Sequence, residues 1–300
     1  MRQRIFEATT PKARDQYAPF GYNIRVAIKI GQGKTDAVST VRTMDSADIH
    51  PQKPYVRLAT PAEFNEFVDV AFRAFITDPV YNYFGTVNKM LDTDTDLKAC
   101  KNRRLMLKFL TKACYLVGGR ITVVVEKKED SEEERILSGC LWLPPHKRLE
   151  VWMVSIIVRA GVIPVLKGWG LNGFIRIVFD YQGTAEKRMK DVFKAGNSKL
   201  SPENSWYLQL AFTAPEHQGK GLLSLLIREQ FALTPDDVIV LEATTPSSRD
   251  LYLHLGFENP VSITFGKGKS DARGISARGA DAVGVECWAM AKWPSKPADS

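Results

Sequence analysis

Cysteine and histidine are scarce. The 300 residues hold four cysteines, Cys100, Cys114, Cys140 and Cys287, and four histidines, His50, His146, His217 and His254. The cysteines lie far apart and the histidines fall into no ligand spacing, which argues against a zinc site and against a disulfide-stapled scaffold. Long unbroken apolar runs are missing too. The most apolar stretch, VWMVSIIVRAGVIPVLKGWGLNGF, is interrupted by Arg159, Pro164 and Lys167, which speaks against a membrane span. The opening MRQRIFEATTPKARDQY has no apolar core of an export signal, and Glu7 and Asp15 weaken a mitochondrial reading. With few thiols and no export signal, a reducing cytoplasm is the expected compartment.

A composition of 44% hydrophobic and 25% charged residues is that of a soluble globular chain able to bury a sizeable core. The formal net charge of +7 suits an anionic partner. The basic residues are spread along the chain with no block interleaved with aromatics, which argues against nucleic acid and leaves a phosphorylated small molecule in play.

Residues 1–53 read as a polar, turn-rich N-terminal extension with one strand pattern, Ile24, Val26, Ile28 and Ile30. From residue 54 to about 296 a single α/β domain is expected. YVRLAT reads as a strand. Thr60, Pro61 and Glu63 start a helix whose apolar face carries Phe64, Phe67, Val68, Ala71 and Phe75. After a second helix in RRLMLKFLTKACYLV, ITVVVEKK and ILSGCLWLPP form an antiparallel hairpin around the acidic turn EDSEEER. Residues 146 to about 200 read as a helical insertion. WYLQLAFTA, VIVLEAT, FENPVSITFG and AVGVECWAMAKWP are strands, GLLSLLIREQFAL and SSRDLYLHL are helices, and KGKSDARGISARG is a mobile loop. No repeat of fixed period is present.

The most informative stretch is TAPEHQGKGLLSLLIREQF. A strand ending near Thr213 leads through a glycine turn into a helix beginning near Leu222, so unpaired backbone N–H groups and the positive end of a helix dipole converge there. Walker A spacing fails, because Gly219 directly precedes Lys220 and Leu222 stands where a hydroxyl is needed. The dinucleotide fingerprint fails as well, with Ser224 in place of its third glycine. What fits is a metal-free pyrophosphate seat, with Gly219 and Gly221 admitting the oxygens and Lys220 adding charge.

At this point the chain resembles the GNAT superfamily of N-acetyltransferases, in a fungal-type member. The family loop Gln/Arg-x-x-Gly-x-Gly/Ala is met by Gln218, Gly219, Lys220, Gly221 and Leu222, while Leu223 stands where the last small residue normally sits. Tyr252, Gly256 and Phe257 match the later Tyr-x-x-x-Gly-Phe segment. The resemblance implies a mixed, mostly antiparallel sheet splayed at the coenzyme A strand and flanked by helices. It implies acetyl-CoA as cosubstrate, no metal, and direct acetyl transfer to an amine, and the apolar character of the insertion at 146–200 favours a small-molecule acceptor with hydrophobic parts over a lysine-tail peptide. By the same resemblance the backbone of Ala211, Phe212 and Thr213 pairs with the pantetheine arm, Thr245 contacts that arm, and Tyr252 protonates the departing thiolate.

Transfer to an amine also asks for a base. Glu242, a carboxylate on an otherwise apolar strand, is the candidate, with a structural hydrogen bond as the competing explanation. Asp78 either faces the acceptor's ammonium or starts a turn before Pro79. His217 either touches phosphate or is a solvated turn residue, and Cys140 reads as a small core residue. A noncatalytic coenzyme A-binding or protein-interaction module with the same fold remains the alternative function. The acceptor, acyl chain and oligomeric state are not encoded in these motifs.

Overall fold

The computed structural model describes residues 53–294 apart from 128–130, 132 and 151. The expected strand at Ile24–Ile30, the rest of the extension through residue 52, and part of the acidic hairpin turn lie outside the described residues. Seven strands form one sheet: β1 (Tyr55–Leu58), β2 (Arg120–Lys127), β3 (Glu134–Leu143), β4 (Trp206–Thr213), β5 (Ile239–Ala243), β6 (Glu258–Phe265) and β7 (Val285–Lys292). Their order is β1-β2-β3-β4-β5-β7-β6, and every neighbouring pair is antiparallel except β4 with β5. This is the mixed, mostly antiparallel α/β class expected from the sequence.

Strand alternation sorts the core onto two faces. On β2, Ile121, Val123 and Val125 join a cluster with the apolar stripe of helix α1 (Phe64–Ala74), whose Phe64, Phe67, Val68 and Ala71 are buried as the helical spacing requires. Val124 points the other way, into a cluster built by α7 (Leu222–Leu233) and α8 (Pro246–His254) through Leu222, Leu226, Ile227 and Tyr252. Between these helices in the chain come α2 (Pro79–Phe84) and α3 (Leu97–Leu116). The stretch between β3 and β4 carries α4 (Val154–Ala160), α5 (Val162–Ile175), a π-helical segment at Arg176–Gln182, and α6 (Gly183–Ala195). Met189, Val192 and Phe193 of α6 pack on β6 and β7 through Ile263, Phe265 and Ala289.

By length and composition alone the run Val162–Ala195 would cross a membrane, and 17% of its most apolar window is buried. Its backbone nevertheless leaves the helical region at Gly170 (φ 66°, ψ −171°). Leu171 and Phe179 stay exposed to solvent while Val165 and Gly173 are buried.

One expectation is corrected. The loop after β6, read as mobile from its glycine and basic residues, is docked. Ser270 is fully buried and bridges to Ser276, and Asn82 Nδ2 of α2 donates to the carbonyl of Arg273 at 2.9 Å. Gly274 has a φ of 77°, and a Cβ there would fall 1.9 Å from the Pro79 carbonyl oxygen. The glycines serve tight turns and close approach, where composition alone suggested slack.

Candidate active site

The parallel pairing of β4 with β5 is brief: Trp206–Leu208 match Ile239–Leu241, and beyond that the two strands part. A register shift between Leu141 and Trp142 of β3 leaves Gln209 of β4 as the extra residue of a β-bulge. Past the bulge β4 stays on β3 and turns away from β5. Ala214 N–H donates to the Leu137 carbonyl at 2.8 Å, and the Phe212 carbonyl accepts from Ser138 Oγ at 2.6 Å. By ladder alternation, the backbone groups of Ala211 and Thr213 therefore face the gap. Of the three backbone positions read from the sequence, Phe212 is turned to β3, and its ring stacks edge-on against Phe67, centroids 4.8 Å apart.

A cavity of about 760 Å³ opens where the strands part. At one end lies the glycine turn. Gly219 and Gly221 have φ of 75° and 74°, the left-handed region that glycine enters without strain. Gly221 precedes α7, whose first N–H groups have no intrahelical acceptor. Gln218 Nε2 donates weakly to the Thr213 carbonyl at 3.4 Å, tying the turn to the end of β4. Leu222 is buried in the core, while Leu223 packs on the same cluster from its edge and also lines the cavity. Lys220 lies outside the cavity wall, its Nζ 3.3 Å from Nδ1 of His217, which does line it.

Tyr252 and Thr245 both line this cavity. The Tyr252 ring is held edge-on by Phe257 at 5.5 Å, and its hydroxyl makes no hydrogen bond among the described residues. Burial pushes that hydroxyl's pKa up, so the proton stays on at neutral pH. Thr245 is the N-cap of α8. Its Oγ1 accepts from Ser248 N at 3.2 Å, so the hydroxyl read as a pantetheine contact is already committed to the helix end.

Glu242 of β5 enters the same cavity. Burial raises its carboxyl pKa, opposed by the hydrogen bond from Tyr207 and by the charge of Arg148. Tyr207 Oη donates to Glu242 Oε2 at 2.6 Å, and the Arg148 guanidinium lies over the Tyr207 ring at 4.9 Å. Asp78 also lines the cavity, but its oxygens are engaged: Oδ1 accepts from Val80 N and Tyr81 N as the cap of α2, and Oδ2 accepts from Thr244 Oγ1 at 2.7 Å. The turn-starter reading describes what this side chain does here. Cys140 is fully buried, as a core residue.

Several lining residues escaped the sequence reading. Glu150 and Glu186 join Asp78 and Glu242 in the wall, against the single guanidinium of Arg148. Burial, then the like charges of Glu186 and Glu203, raises the Glu150 carboxyl pKa. Gln209 Oε1 is buried without a donor among the described residues. A signal for Tyr207 and Gln209 existed: with Ala211 and Thr213 they form the less buried alternate set of β4.

No protein-family model matches the chain. Over 132 residues it is 29% identical to an uncharacterized N-acetyltransferase of Schizosaccharomyces pombe, a match spanning 41% of this chain and 48% of the relative. By sequence, the chain is similar to an N-acetyltransferase. It spans about half the length of the curated relative it matches. Among solved structures, a histone acetyltransferase HPA2 and related acetyltransferase from Corynebacterium glutamicum has 23% identity, covering 83% of this chain and all of that one, with a TM-score of 0.47. Arylalkylamine N-acetyltransferase 2 from Aedes aegypti has 12% identity over 81% of this chain and all of that one, again at 0.47. Likeness this loose says nothing about what the present chain binds.

Proposed function

We propose that this chain is an acetyl-CoA-dependent N-acetyltransferase acting on a small-molecule amine. The observation that carries the reading is one continuous cavity running from the left-handed Gly219 and Gly221 at the start of α7, along the parted edge of β4, to Tyr252 and Glu242.

The residues present fit the cosubstrate. The unpaired N–H groups at the start of α7 suit a pyrophosphate. The exposed ladder groups of Ala211 and Thr213 offer a strand edge to amides of the pantetheine arm. Gln209 Oε1 is a buried acceptor whose cost falls once a ligand N–H reaches it. Acetyl-CoA, when bound, supplies the acetyl thioester. An acceptor that arrives as an ammonium first releases one proton to solvent, which frees the nitrogen lone pair, and Glu242 takes the second proton from the attacking nitrogen, directly or through water. The amine nitrogen bonds to the acyl carbon as the carbon–sulfur bond breaks, and Tyr252 gives its hydroxyl proton to the departing sulfur. The products are the N-acetylated amine and free coenzyme A. Solvent then takes the proton from Glu242 and returns one to Tyr252. Four carboxylates against one guanidinium favour a cationic acceptor.

Calorimetry with acetyl-CoA, followed by thiol release in the presence of an amine panel, tests the reading. Micromolar binding with turnover is the expected result. Binding without turnover of any amine would leave a noncatalytic coenzyme A-binding module, and no binding would overturn the reading altogether.

A further inference from the structure

Beside the main cavity lies a second one of about 130 Å³, open to solvent on one side and lined by the helices between β3 and β4. Its wall is apolar, built by Val162, Val165, Leu166, Trp169 and Phe174. The two cavities share four wall residues, Leu149, Glu150, Ile177 and Gln182, so they adjoin. The Glu150 carbonyl accepts from Met153 N at 2.9 Å, while its carboxylate stands at that junction with no hydrogen-bond or ion-pair partner among the described residues. Burial and the charges of Glu186 and Glu203 act against that carboxylate, the charge of Arg148 offsets them only in part, and an incoming cation relieves it.

Resting on the acetyltransferase reading, we infer that the acceptor is a primary amine carrying an unbranched apolar chain: the ammonium meets Glu150 and the chain enters the second cavity. A wholly polar amine would leave that apolar wall facing water, and an apolar ligand without charge would leave Glu150 unpaired. An amphiphilic amine satisfies both. Taking a water molecule's share of liquid volume, about 30 Å³, as the yardstick, the second cavity holds a short chain segment of roughly four heavy atoms.

The test is a series of n-alkylamines from propylamine to decylamine. It is read as kcat/KM in thiol release and, independently of turnover, as amine affinity by calorimetry on the full-length protein. Both are expected to rise by about fourfold per added methylene and then level off once the second cavity is full. Val178→Phe, which narrows only the second cavity, is expected to bring the octylamine-to-propylamine ratio down toward one. Glu150→Gln is expected to weaken all members of the series by a similar factor. A flat series, or an unchanged ratio in Val178→Phe, overturns the inference while acetyl-CoA binding and turnover of other amines leave the acetyltransferase reading intact. Absent acetyl-CoA binding together with a chain-length-dependent amine affinity would do the reverse.

Discussion

Tyr207 and Glu242 stand on the one parallel strand pair among the described residues: Tyr207 is matched with Val240, Glu242 lies one residue past the last matched pair, Leu208 and Leu241, and the Tyr207 hydroxyl donates to Glu242 Oε2 at 2.6 Å. The bond favours the charged carboxylate and so works against the desolvation that raises its pKa. Tyr207→Phe removes that support. The acidic limb of the kcat profile is expected to move to higher pH, because a base with a higher pKa needs less acid to be silenced. Glu242→Gln is expected to lower kcat by about 10²–10⁴-fold with acetyl-CoA affinity unchanged. Stopped-time thiol release across a pH series measures both, and a Tyr207→Phe profile that overlays the parent's would show that Glu242 is not the titrating base.

Tyr252→Phe separates chemistry from packing. The ring against Phe257 is kept and only a hydroxyl without a hydrogen bond is lost, so the thermal midpoint should hardly change. Loss of the proton donor is expected to reduce kcat by about 10²–10⁴-fold. The loss should shrink with an acyl thioester whose thiol is more acidic, since a better leaving group needs less protonation. An equal loss for all thioesters would remove the donor role from Tyr252.

The strands and helices around the site were legible because their apolar signal is strong: the 3.6-residue stripe of α1 shows which face is buried, and the β-branched run of β2, buried on both faces, marks a strand. The glycine turn was legible because left-handed backbone demands a particular residue. What stayed hidden depends on distance in three dimensions. Glu150 and Glu186 are ordinary charged residues in sequence, and only the fold sets the segment before α4 and the start of α6 in one wall with Glu242. Phe212 looked equivalent to Ala211 and Thr213, yet a bulge at Gln209 and the Ser138 hydroxyl decide which carbonyls are free. The docked loop after β6 was misread because glycine composition does not distinguish slack from close approach.

The glycine turn gives a further expectation. A Cβ at Gly219 or Gly221 meets no atom within 4 Å, so the cost of alanine there is the backbone conformation alone. Gly221→Ala should destabilise the free protein by ~1–2 kcal/mol, read by urea unfolding. If the turn opens to avoid that strain, the N–H groups at the start of α7 lose their common direction and acetyl-CoA affinity falls by tenfold or more. Full affinity in both alanine variants would place the pyrophosphate elsewhere.

The corner that holds β1 gives a prediction independent of catalysis. Arg57 bonds Glu63 through two nitrogens and Glu134 through Nε at 2.8 Å, while Glu63 Oε2 also accepts from Thr60 N at 2.7 Å. The Arg57 hydrogen bond leads the causes that bring the Glu63 carboxyl down from 4.5 to about 2, against the opposing effect of burial. A pKa lower in the folded state means that the unfolded chain binds the proton more tightly. The stabilisation is then complete above pH 4.5 and is lost as the pH falls toward 2. With both side chains about a fifth to a quarter exposed, solvent screening reduces the linkage value to ~1–2 kcal/mol. Glu63→Gln is expected to unfold at lower urea than the parent at pH 7 by that margin, and the two midpoints should converge near pH 2. A gap that persists unchanged at pH 2 would mean that the glutamine variant loses packing or the Thr60 contact, and that the ion pair contributes nothing.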